Sequence, residues 1–142
     1  MSHGRTDVKS EIEAILTGLS TTGARVYVDR FYPLADDDFP CLVVNANTEE
    51  VDLERSTLNR IWRNLRLDVV AYGQRTSGLV AVLETINSEV DAALSGATLT
   101  GIQTIWPDSC ELSTDPDGEQ PVGTLTMTYR VGYITENNGD IV

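Results

Sequence analysis

Leu58-Asn-Arg-Ile-Trp-Arg-Asn-Leu-Arg-Leu-Asp-Val-Val-Ala-Tyr72 is the longest run in the chain with two-residue alternation of apolar and polar side chains. Ile61, Leu65, Leu67, Val69 and Ala71 fall on one side, and Arg60, Asn64, Arg66 and Asp68 on the other. Successive side chains of a strand point to opposite faces, so this segment predicts a strand at the centre of a sheet, with one face on a core.

Helical periodicity lies on either side of it. From Thr6 to Leu19, residues Val8, Ile12, Ile15, Leu16 and Leu19 recur at helical spacing, with Thr6 or Asp7 as the expected N-cap and Gly18 and Gly23 marking the exit. Leu79, Leu83, Ile86, Val90, Ala93 and Leu94 mark one face of a second helix that ends at Gly96. Short strands are expected at 24–30, where Val26 and Val28 alternate with polar neighbours, and at 41–46 after Pro40. Between them, Phe31 to Pro40 is too long and too rich in Pro and Asp for a tight hairpin, and reads as a contact loop. Asn47 to Thr57 reads as a second connection, mobile or ordered by a partner, bearing Glu49, Glu50, Asp52 and Glu54. A long hairpin follows, with one arm in 98–112 and the other alternating Leu125, Met127, Tyr129, Val131 and Tyr133 against Thr124, Thr126, Thr128 and Arg130. Asp115-Pro116-Asp117-Gly118 turns it, Pro presetting one dihedral and Gly accepting positive φ. The order α-β-β-β-α-β-β predicts an α+β fold, a mainly antiparallel twisted sheet of four to five strands with two helices packed on it. A length of 142 residues predicts one domain, with a flexible start (1–5) and a polar tail (136–142).

Ten Lys and Arg against twenty-two Asp and Glu give a formal charge of -12, which argues against general affinity for DNA or anionic membranes. No apolar stretch is long enough for a membrane span or a secretory signal, and the expectation is a water-soluble cytoplasmic chain. Cys41 and Cys110 form no Cys-x-x-Cys and are expected to be reduced thiols.

The single histidine, His3, excludes histidine-based triads and multi-histidine metal sites. Asp36-Asp37-Asp38 and the Glu49-Glu50 pair are the obvious paired carboxylates, but catalytic carboxylates need desolvation and these are expected in exposed loops. Asp115 to Glu119 echoes part of a calcium loop without its remaining acidic ligands, and neither Gly-x-Gly-x-x-Gly nor Gly-x-x-x-x-Gly-Lys occurs. No metal, cofactor or catalytic residue is therefore assigned, and the chain is not expected to be an enzyme. Nine of the ten cations are Arg, with Lys9 the exception, and Arg55, Arg60, Arg63, Arg66 and Arg75 cluster around the alternating strand. Arg is enriched at interfaces and pairs with carboxylates in a fork, so these five are the candidate subunit interface, set against acidic loops, with pairs inside the chain and contact with DNA as the other readings.

The chain resembles the tail-terminator family of long-tailed bacteriophages with non-contractile tails, the lambda minor tail protein U type. The residues that carry the resemblance are the first helix, Val26-Tyr27-Val28-Asp29-Arg30, the loop closing on Phe39-Pro40-Cys41-Leu42-Val43-Val44, and an acidic linker. They continue with Arg63-Asn64-Leu65-Arg66-Leu67-Asp68-Val69-Val70-Ala71-Tyr72, the helix around Leu83 to Val90, and Gly123 to Val131. The resemblance implies a structural virion protein forming a homo-oligomeric ring, by family a hexamer, on the head-proximal end of the phage tail tube. There it stops tube polymerisation and offers a surface to the head-completion (neck) protein, after assembly in the host cytoplasm. It also implies that DNA only passes through the lumen, for which Glu49, Glu50 and Asp52 are the candidate lining. Phe31, Tyr32, Asp36, Asp37, Asp38 and Phe39, with Asp115, Asp117 and Glu119 of the hairpin tip, are the candidate docking loops. A neck protein or tail-tube subunit of the same module, and an enzyme or small-molecule binding domain of unfamiliar type, are the other readings.

Overall fold

The computed structural model describes residues 4–23, 25–28, 40–74, 78–97, 101–115 and 122–136. Along the chain these form α1 (Gly4–Leu16), β1 (Val26–Val28), β2 (Cys41–Asp52), β3 (Ile61–Gln74), α2 (Leu79–Gly96), β4 (Thr104–Asp115) and β5 (Val122–Thr135). The strands make one five-stranded sheet in the order β1-β2-β3-β5-β4. All neighbours are antiparallel except β1 and β2. The fold is α+β, and the alternating strand β3 is its middle strand, as its pattern predicted.

Both helices pack on one face of the sheet, because alternation on three strands is in register. Val44 lies opposite Val69, which lies opposite Met127, and Ala46, Leu67 and Tyr129 form the next row. Onto these rows α1 sets Val8, Ile12 and Leu16, and α2 sets Leu83, Ile86, Val90 and Leu94, all buried in one apolar cluster. Full burial of a Leu or Ile side chain stabilises by about 1.5–3 kcal/mol, so each helix is held by its stripe more than by local propensity. Close approach of α2 to the sheet needs Gly123: a Cβ there would lie 2.9 Å from both Leu79 Cδ2 and Leu83 Cδ1.

Several boundaries differ from the expectation. Helix α1 begins at Gly4, so Thr6 and Asp7 lie inside it and neither is the cap; Asp7 instead places an acid in the first turn, where the helix dipole favours it. Gly4 and Arg5, expected in a frayed terminus, are helical. The helix ends at Leu16, earlier than Leu19, and Gly18 at φ 99° and Gly23 at φ 58° turn the chain where a side chain would be strained. The largest correction concerns Asn47 to Asp52, expected as a connection: they continue β2, paired with β3 across a bulge between Ala46 and Thr48. β4 begins at Thr104 and not near Thr98, and carries its own bulge between Pro107 and Ser109, as an edge strand containing proline commonly does. Among the described residues no helix is long and apolar enough to cross a membrane.

Candidate interaction surfaces

The five arginines of the candidate interface do not share a face. By strand parity Arg63 belongs with Leu65 on the helix-bearing side, next to Glu49 of β2 and Tyr133 and Thr135 of β5. Its Nη1 donates to Glu49 Oε2 at 3.0 Å and its Nε to Thr135 Oγ1 at 2.8 Å, while the Tyr133 hydroxyl donates to the other Glu49 oxygen. The side chains of Arg63 and Glu49 are only 15% and 11% exposed, so this is a sheltered ion pair within the sheet. Glu50 alternates to the opposite face and is exposed, so the two adjacent acids cannot act as a carboxylate couple.

Arg66 lies on the helix-free face, directly opposite Arg130. Like charges in that relation repel. Asp108, on the β4 bulge, relieves this by accepting from Arg66 Nη2 at 3.0 Å and lying 3.4 Å from Arg130 Nε. Arg55 and Arg60 stand on the tip that joins β2 to β3, and Arg75 lies outside the described residues. Arg55 sits 4.9 Å over the Trp62 ring and 3.7 Å from Asp52. Arg60 is exposed and makes no ion pair among the described residues.

The tip itself is built, not slack. Asp52 Oδ1 accepts from the Glu54 and Arg55 amides at 3.1 and 3.3 Å, and its carbonyl accepts from the Ser56 amide and hydroxyl at 3.1 and 2.6 Å. Ser56 Oγ takes the Trp62 amide at 3.0 Å, and Thr57 and Arg60 exchange backbone bonds. On this frame Leu53 and Leu58 are 83% and 87% exposed. Neither was singled out from the sequence, although two leucines inside an otherwise polar turn were a visible signal.

At the opposite edge, α2 covers β3 and β5 but leaves the inner side of β4 open. Two adjoining clefts of about 350 and 330 Å3 run between α2 and β4 and share Asp91, Pro107 and Tyr129. Tyr129 is buried and its hydroxyl donates to Asp91 Oδ1, and burial first, then this bond, push its ionisation well above the ordinary tyrosine range. Cys110 opens onto the second cleft as a free thiol, raised above its usual range by desolvation and by Asp91; the Cys41 thiol is buried.

Of the candidate docking loops, Phe31, Tyr32, Asp36, Asp37, Asp38 and Phe39, and Asp117 and Glu119, lie outside the described residues, while Asp115 closes β4. Among the described residues no three His, Cys, Asp or Glu side chains group to hold a metal ion.

No protein-family model matches the chain, and no curated protein matches it. Among solved structures, a chain of the virion of native gene transfer agent (GTA) particle is similar, with a TM-score of 0.50 at 15% sequence identity. The likeness covers 92% of this chain and 92% of that chain, and at such identity it is a likeness of fold.

Proposed function

We propose that the chain is a structural virion protein, non-enzymatic, which forms a ring on the head-proximal end of a phage tail tube, ends its polymerisation and presents a surface to the neck protein. The observation that carries this reading is the fold likeness, over 92% of both chains, to a chain of a virion particle. It agrees with the family resemblance of the sequence. In this reading residues 1–142 act as one domain, six copies close the ring, and the acidic side chains of Glu50 and Asp52 face the passage for DNA, where anionic walls do not grip phosphate. Glu49, bound to Arg63 and Tyr133, supports that wall from within the sheet.

The test is native mass spectrometry and negative-stain imaging of the purified chain, alone and mixed with uncapped tail tubes. Closed rings of fixed copy number and capped tubes are expected. Monomers with and without tubes would overturn the reading, and long tubes of this chain alone would reassign it to the tube.

A further inference from the structure

We propose that the tip joining β2 to β3 in one copy seats Leu53 and Leu58 in the groove between α2 and β4 of the next copy. This rests on the ring reading and names the contact that would build it.

The donor is preformed. The hydrogen bonds that Asp52 accepts, and the one that Ser56 Oγ takes from the Trp62 amide, hold the backbone of the tip, so its two leucines are presented at little further cost in ordering. Leucines so exposed on an ordered turn are the kind of anchor that a partner pocket buries.

The acceptor matches in shape and in charge. Leu94 and Ile105 form apolar walls, and Met127 and Tyr129 supply the floor. Together the two clefts lie in the size range of pockets that enclose small apolar groups. Asp91 lines the groove with no cation among its described lining residues, whereas the tip carries Arg60, which is exposed. Leu53 and Leu58 thus bring the apolar complement, and Arg60 the charge complement, to the same place.

The sheet order sets donor and acceptor apart in one copy. The tip extends β2 and β3, the groove borders β4, and β5 lies between β3 and β4 in the sheet. The leucines are exposed in their own copy, so that copy's groove does not hold them. A donor on one edge and an acceptor on the other make a heterologous contact, which repeats head to tail and closes when each copy is rotated by a constant angle.

The groove supplies its own probe, since Cys110 lies in it and Cys41 is buried. A Leu58→Cys chain, oxidised at mildly alkaline pH to offset the raised Cys110 ionisation, should give disulfide-linked multimers whose cross-linked peptides join position 58 of one copy to Cys110 of another. The link should vanish when Cys110→Ser is added. A second chain with Leu53→Asp and Leu58→Asp should keep its thermal transition, because both sites are solvent-exposed, and lose its rings. Rings that persist in the double-Asp chain, or no 58-to-110 link in the Leu58→Cys chain, would overturn the contact and leave the ring reading standing. A link only between two introduced thiols would overturn it as well, indicating a symmetric contact. Wild-type chains that stay monomeric even on tubes would remove both.

Discussion

Glu49→Ala separates a structural acid from a solvated one. Were Glu49 in an exposed loop, the change would move stability by no more than about 0.5 kcal/mol. In the fold it leaves the hydroxyl of Tyr133, a residue with no exposed surface, without its acceptor, and leaves Arg63 with Thr135 as its remaining side-chain partner. An orphaned buried hydroxyl costs about 1–3 kcal/mol. Breaking a fully buried ion pair costs about 3–5 kcal/mol, and the residual exposure of this pair, with Thr135 retained, places the whole effect near about 3 kcal/mol. Equilibrium urea unfolding at neutral pH reads it directly as a shift in midpoint at constant slope. Two companion variants test the cause. Tyr133→Phe removes only a donor and should cost about 1 kcal/mol. The pair Glu49→Leu with Arg63→Met should be more stable than Glu49→Ala alone, because no buried charge is stranded. A loss below about 1 kcal/mol for Glu49→Ala, or a double variant as costly as the sum of its singles, would refute the reasoning.

Gly123→Ala should cost about 1–3 kcal/mol in thermal unfolding, since its Cβ would press on Leu79 and the buried Leu83, whereas Gly96→Ala meets open space at the end of α2 and should be neutral or slightly stabilising. Equal effects at the two sites would contradict the packing described. For pH dependence, the folded state raises the ionisation of Tyr129 above that of an unfolded tyrosine, near about 10. The sign follows from the unfolded state ionising first: stability from this group is complete below pH 10 and declines as pH rises beyond it. Tyr129→Phe should therefore flatten part of the alkaline limb of stability against pH, with Tyr72, also raised by burial, retaining its share; an unchanged limb would disprove the assignment.

The elements that were legible in the sequence are those whose pattern repeats locally. β3, α2 and β5 announce themselves by period, and Leu65, Leu67, Val69, Leu83, Ile86, Val90, Met127 and Val131 are buried as that period requires. The distal half of β2 was not legible, because Asn47-Thr48-Glu49-Glu50 has poor strand propensity and its pairing with β3 depends on residues more than a dozen positions away. Arg63 was grouped with Arg60 and Arg66 by proximity in the chain, although parity with Leu65 already assigned it to the other face. The groove between α2 and β4 had no signal at all. Which strand a helix leaves uncovered is set by the order of strands in the sheet, and Asp91, Tyr129 and Cys110 meet only after that order is formed.

The order of strands also has a kinetic meaning. β2 with β3, and β4 with β5, are hairpins between chain neighbours, and such pairs form on a timescale of about 1–10 μs. The long ladder between β3 and β5 is different, because the whole of α2 and β4 intervenes, and its closure must meet a loop entropy that neither hairpin meets. The seam where Val69 faces Met127, under the stripe of α2, is thus the expected slow step in folding, since it closes the longest loop among these pairings.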